Sequence, residues 1–312
     1  MRFSTYQQRA KATDKTDRQD PHAQMTIPFL GLVGEAAELL TEYKKALRDP
    51  RYKPERARVA EEIGDTLWYL ATIATRYDLS LEKIASENLA KLKARYQRSK
   101  QLRLIEDTNN NEEQLPAKLS LEFRALRTRK NGFARVGIFR DGIQIGDRLT
   151  DNAYYDDGYR FHDVFHLGHA VFLNWSPVTR KLLGAKRKSS GETDEVEDGG
   201  RAAVIEEGIV AVTYAHALDN GYFESRREVE TALLKMIRHV TRHLEVRTRT
   251  PADWEHAILQ SYVVWRALRS KGGGIVHADF ERQTLMFDPG TKVTVPRKLS
   301  KPRRKRVKAI NS

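Results

Sequence analysis

Cysteine is absent from all 312 residues, and that removes disulfides, thiolate zinc sites and a cysteine nucleophile together. Long apolar runs are missing too. No stretch approaches the roughly 18 apolar residues of a membrane-spanning helix, and the opening MRFSTYQQRAKATDKTDRQD has no sustained apolar segment of signal-peptide type. The expectation is a soluble protein of a reducing cytoplasm with no membrane association. No GxSxG, Walker loop or dinucleotide glycine fingerprint is present, which weighs against a hydrolase triad, a P-loop and a Rossmann domain. Repeats at solenoid periods are lacking as well. Acid is scarcer than base, with 42 Asp and Glu against 55 Lys and Arg and a formal net charge of +13. Most of that excess sits near the C-terminus, where Pro296 to Ser312 carries eight basic residues and no acid. Two prolines, no aromatics and strong self-repulsion there imply a disordered basic tail over residues 291–312. Such a tail holds nucleic-acid phosphates nonspecifically by counterion release, or simply solvates the chain.

Where acids do occur, four of them stand out. Glu35 and Glu38 in GLVGEAAELL, and Glu62 and Asp65 in EEIGDTLWYLA, form two pairs of equal internal spacing. A separation of three places both members on one helix face, so two packed helices bring all four together. Both pairs lie inside helical apolar patterns, with Leu32, Val33, Ala36, Leu39, Leu40, Tyr43 and Leu47 in the first. Val59, Ile63, Leu67, Leu70 and Ala74 mark the second. Clustered carboxylates repel unless a proton or a cation intervenes. Mg2+ is the natural cation, being hard and oxygen-seeking, and Mn2+ is the alternative. Solvated helix acids balanced by Lys44, Lys45 and Arg56 are the bland explanation of either pair taken alone.

The stretch from about residue 1 to 100 resembles the MazG-like nucleoside triphosphate pyrophosphohydrolases, an all-helical family marked by ExxE, a variable gap and ExxD. Here 23 residues separate Glu38 from Glu62. ENLAKLKARY is similar to the closing helix of that family. By this resemblance Glu38, Glu62 and Asp65 are magnesium ligands, and Glu35 either completes the metal shell or orients the attacking water. The implied products are a nucleoside monophosphate and pyrophosphate, and assembly of family members through their helices implies a homo-oligomer. Lys44, Asn88, Lys91 and Arg95 are candidate substrate contacts, with Leu89 and Leu92 expected inward on the same helix. Trp68, three residues beyond Asp65, is either a base-stacking residue or ordinary core.

Along the chain, residues 1–105 read as the helical domain, with helices near Ser4 to Thr13 and from Leu81 to Arg103 flanking the two acidic ones. Residues 106–118, rich in Asn and acids, read as an exposed linker. A helix-rich second domain then spans 119–290. In it, GFARVGIFRDGIQIGDRL predicts a hairpin turning at Asp141 and Gly142, and IVHADFERQTLMF predicts a closing pair of strands. Helices are expected near Phe161 to Leu173, Ala202 to Leu218, Glu228 to Arg247 and Asp253 to Ser270. His162, His166 and His169 share a narrow arc of the first of these. Glu206 and Glu207 lie in the apolar second, where burial without partners is costly. Bringing the histidines against these glutamates satisfies them and offers imidazole and carboxylate ligands for a second divalent metal; a structural hydrogen-bond network does so equally. The run DEVEDGGR reads as an exposed loop. YRFHDVFHLGHA and VEDGGRAAVIEEGI resemble the C-terminal module of some MazG-like proteins, a resemblance that carries no activity. The sequence therefore points to a mainly α protein of two domains, the first a Mg2+-dependent pyrophosphohydrolase. The rival is a nucleotide- or nucleic-acid-binding regulator that uses its basic tail and a degenerate catalytic site.

Overall fold

The computed structural model describes residues 1–16, 19–99, 110–126 and 134–290. The expected basic tail at 291–312, residues 106–109 of the expected linker and residues 100–103 of the helix anticipated through Arg103 lie outside the described residues; within them that helix already ends at Tyr96, which shortens the expectation. The chain is mainly α and divides into two compact units, Met1–Arg95 and Tyr96–Ser312.

In the first unit, α1 (Phe3–Thr13), α2 (Pro21–Arg48), α3 (Arg56–Arg76) and α4 (Leu81–Tyr96) follow one another. Asp20 caps α2 by accepting from the backbone N–H groups of His22 and Ala23, and Pro21 supplies a helix-ready φ at the first position. Helices α2 and α3 form the principal pair, and α1 packs on α3. A side chain at Gly31 would collide with the Tyr69 ring at 2.2 Å, so this glycine sets how closely α2 and α3 approach. The core is small: Ala10, Ala71, Ala74 and Leu81, with Tyr6, Leu67 and Trp68 packed against them. An Arg76–Asp14 ion pair holds α1 to α3.

Much of the apolar pattern that predicts these helices is not buried within the unit. Val33, Leu40, Tyr43 and Leu47 are each more than 60% exposed, and Ile63, Leu70, Leu89 and Leu92 are exposed as well. This corrects the inward placement of Leu89 and Leu92. The physical reason is size: a 28-residue α2 carries more apolar surface than its neighbours in so small a bundle cover.

The second unit has a single large core beneath an antiparallel sheet of order β3-β2-β1-β4-β5. Its strands are β1 (Lys118–Leu126), β2 (Arg135–Arg140), β3 (Ile143–Leu149), β4 (Gly274–Asp279) and β5 (Thr284–Asp288). The two expected hairpins are joined through β1, which pairs with both β2 and β4. Leu119, Leu121 and Phe123 alternate inward along it. Asp141 and Gly142 both take positive φ, 52° and 78°, as the tight hairpin turn requires. The helices are α5 (Asp163–Leu173), α6 (Pro177–Leu183), α7 (Gly191–Val196), α8 (Gly200–Asp219), α9 (Thr231–Val240) and α10 (Pro251–Lys271). α10 is the main partner of α5. A capping box between Thr250 and Asp253 starts α10, and Gly272 ends it in the left-handed region at φ 72°.

Three expectations need correction here. The helix anticipated through Arg247 stops at Val240, and a separate short 3-10 turn carries Glu245. DEVEDGGR is not an exposed loop: it forms the end of α7 and leads to buried Glu197 and Asp198. The expected linker is tied down at Glu113, which is buried and accepts from the Ser189 backbone and hydroxyl at 2.8 and 2.5 Å. One network explains the first two. Arg187 donates to Asp198 at 2.7 Å and to Glu245 at 2.8 Å, all three side chains being at most 6% exposed. Glu197 accepts from the Glu245 backbone. Turning the chain at both acids is what brings them to one guanidinium.

Candidate metal centres

On α2 and α3 the paired acids face one another. Oxygens of Glu35, Glu62 and Asp65 all lie within 4.8 Å of one another. Glu38 is outside that trio but near enough to act on Glu62 electrostatically. Partial burial, the charges of Glu38, Glu35 and Glu61, and a hydrogen bond with Glu35 hold the Glu62 carboxyl above its usual pKa. The donor set is entirely carboxylate oxygen, which fits a hard divalent cation. α2 contributes Glu35 and α3 contributes Glu62 and Asp65 from successive turns, so the cluster follows from the spacing in the motifs and from the approach that Gly31 permits.

The candidate substrate residues are not drawn into one group. Lys44, Asn88 and Lys91 are exposed, and Arg95 is half-buried. Trp68 donates its indole N–H to Thr13 Oγ1 at 2.8 Å and meets Tyr69 edge-on at 5.0 Å. That engagement favours the packing role over base stacking. Glu42 was missed by the motif. It is buried on α2, accepts from Lys45 at 2.6 Å and Tyr52 at 2.5 Å, and lies 3.7 Å from Arg58. These hydrogen bonds hold its pKa below the usual range. Its only signal in the sequence was its position four residues after Glu38 beside a Lys-rich turn.

The second unit brings its histidines and glutamates together. His166 and His169 on α5 each place Nδ1 3.0 Å from Glu206 Oε1 on α8, and His166 Nε2 stands 3.3 Å from Glu207 Oε2. Glu206 is fully buried; its other oxygen accepts from Ser176 Oγ and the Val178 N–H, both at 3.0 Å. Burial opposes charge on this pair, yet the charge of Glu206 and the close approach of both glutamates to its nitrogens push His166 up to about 10. Reciprocally, His166 and His169 overcome the burial of Glu206 and bring it down to about 2. Burial keeps His162 below its usual value. His162 does not reach Glu206; its Nδ1 meets the Tyr159 carbonyl at 3.0 Å. Two overlapping trios result, His162–His166–Glu207 and His166–His169–Glu206, each with ligand atoms within 4.8 Å of one another. His216 stays apart, bonded to Asn220.

A bundle that draws carboxylates from an ExxE helix and an ExxD helix places the first unit in the class of all-α nucleotide pyrophosphohydrolases. The chain belongs to the MazG family: residues 26–99 match the MazG nucleotide pyrophosphohydrolase domain, and residues 100–291 match the MazG C-terminal domain. The Gene 37 protein of Mycobacterium phage L5 is 39% identical over 72 residues, which covers 22% of this chain and 63% of that protein. The chain thus spans less than two thirds of the length of that relative. No solved structure matches the chain significantly. Among the described residues no helix is long and apolar enough to cross a membrane.

Proposed function

We propose that the first unit hydrolyses a nucleoside triphosphate to the monophosphate and pyrophosphate with Mg2+ as its cofactor, Mn2+ serving in its place. The observation that carries this is the convergence of Glu35, Glu62 and Asp65 within a domain of the pyrophosphohydrolase family. Glu38, Glu62 and Asp65 would hold the cation, although the oxygens that converge in this structure are those of Glu35, Glu62 and Asp65. Glu35, beside Glu62 and Asp65, would orient the attacking water and accept its proton. When bound, the cation neutralises triphosphate charge and polarises the bond that breaks. The chain supplies the positioning on which phosphoryl chemistry depends. Lys44, Lys91 and Arg95 offer cationic contacts for the phosphates, and Asn88 a hydrogen-bond donor.

Pyrophosphate release from a panel of nucleoside triphosphates with Mg2+ tests this. Glu62→Gln and Asp65→Asn are each expected to lower kcat by about 100-fold or more, in line with loss of a charge-stabilising group. Turnover unchanged in both variants, or absent from the wild type with every nucleotide, would sink the proposal.

The exposed apolar residues of α2 support a homo-oligomer. Val33, Leu40 and Leu47 recur every seven residues along one stripe, the spacing at which helices pack side by side. The cysteine-free sequence suits a cytoplasmic setting. The basic run from Pro296 onward supports nonspecific contact with nucleic acid, expected to weaken steeply as salt rises.

A further inference from the structure

The histidine cluster of the second unit stands apart from the pyrophosphohydrolase chemistry, and within each of its two trios the ligand-type atoms lie within 4.8 Å of one another. His162 Nδ1 lies 3.0 Å from the Tyr159 carbonyl oxygen. A carbonyl can only accept, so Nδ1 carries the proton and, in the neutral ring, Nε2 holds the lone pair; Nε2 also stands 3.4 Å from Asp163 Oδ1, a contact that a bound cation would have to replace. The Tyr159 ring lies parallel to the His162 ring at 4.5 Å and 7°, which fixes the imidazole plane. One turn further along α5, His166 is almost completely buried between two carboxylates, with Nδ1 toward Glu206 and Nε2 toward Glu207. Its Nδ1, although 3.0 Å from Glu206, is not aligned for a good hydrogen bond.

The two glutamates differ in what they have left to give. Glu206 already meets Ser176, Val178, His166 and His169. An ion placed among His166, His169 and Glu206 would have to displace some of those donors in a fully closed space. Glu207 is about half exposed, and among the described residues its partner is His166. The 3.3 Å between His166 Nε2 and Glu207 Oε2 matches the separation of about 3.3 Å between two ligands of a tetrahedral ion, each about 2.05 Å from it. His162 completes the trio.

We propose that His162 Nε2, His166 Nε2 and Glu207 form a binding site for a divalent transition metal, with Zn2+ the best-fitting ion. Glu206 is the buried carboxylate behind it, its charge 3.0 Å from Nδ1 on the side away from Glu207, where metal-bound imidazoles commonly have a carboxylate. Two imidazoles and one carboxylate select a borderline metal over the hard Mg2+ suited to the all-carboxylate cluster of the first unit. Three protein ligands leave a coordination position on the side where Glu207 meets solvent, the arrangement of an open site able to take water or a small anionic ligand.

The test uses the full chain, stripped with a chelator, loaded with Zn2+ and examined for metal content and zinc-edge X-ray absorption. Imidazole scattering separates this site from the first cluster, which contains no histidine. The wild type is expected to retain one zinc with two imidazole ligands. Glu207→Gln, at a half-exposed position that leaves the buried core intact, and His162→Asn should each weaken that zinc by at least tenfold, whereas Glu62→Gln should keep it. Retention of imidazole-bound zinc at wild-type affinity in Glu207→Gln would overturn the assignment, and so would its absence from the wild type. Loss in His169→Asn with retention in Glu207→Gln would place the ion in the inner trio and equally reject the proposed ligands.

Discussion

His256 and Arg187 show how a single residue couples burial to charge. His256 packs edge-on against Phe172 at 5.1 Å; burial first, then the nearby Arg98, lower its pKa to about 4. A base depressed on folding takes up protons more readily when unfolded. Its stabilising contribution is therefore complete above about pH 6.5 and is lost as pH falls toward 4. His256→Gln should flatten the fall in stability across that window by about 1–3 kcal/mol, measured as urea midpoints at pH 7 and 4.5 for both proteins. A pH dependence identical to that of the wild type would exclude His256 as its source. Arg187 poses the opposite problem, because its charge is needed. Arg187→Met leaves Glu245 buried without its cation and Asp198 with only the longer 3.9 Å contact to Arg180, and a loss of about 3–5 kcal/mol is expected in chemical denaturation. A loss under 1 kcal/mol would mean that these acids find other partners.

Among elements, the α2–α3 pair decides whether the acid motifs become a site. Each motif on its own is an ordinary stretch of helix, and Glu35, Glu62 and Asp65 meet because α2 and α3 approach closely, with Gly31 letting Tyr69 lie against α2. Gly31→Ala must displace that ring. Although alanine favours the helix by about 1 kcal/mol, the variant is expected to bind Mg2+ more weakly and to lose at least severalfold in pyrophosphate release. Wild-type kcat and Mg2+ dependence in Gly31→Ala would show that the cluster tolerates a wider helix separation. The apolar periodicity revealed these helices clearly, and the Asp141–Gly142 pair revealed the β2–β3 hairpin through its turn chemistry. β1 was less legible, although its Leu119, Leu121 and Phe123 alternate, because it pairs with strands near both ends of the domain. The break after Val240 was illegible: helical periodicity continues toward Arg247, and only the distant Arg187 explains why Glu245 leaves it.

For the whole molecule, burial is divided unequally between the two units. The second encloses a large aromatic-rich core that includes Trp175, Trp254 and Trp265, whereas the first buries little beyond Ala10, Ala71, Ala74 and Leu81. Exposed Val33, Leu40 and Leu47 then provide the apolar surface for self-association. Leu40→Lys should shift the full chain to a smaller species in sedimentation velocity, with the second unit's near-ultraviolet circular dichroism preserved. An unchanged sedimentation coefficient, whether both proteins are monomeric or both are oligomeric, would remove this stripe as the interface.

Sequence alone determined the helical character of the first unit, the two acid pairs and the histidine arc, because fixed spacing along a helix converts directly into a shared face. It also indicated that Glu206 and Glu207 needed partners, since charge in an apolar helix is costly. Tertiary structure decided which atoms meet: Glu35 joins Glu62 and Asp65, Glu206 takes His166 and His169, and Glu207 remains open to solvent beside His162 and His166. Those choices depend on helix separation and on the angle of packing, and neither is contained in the periodicity of a single segment.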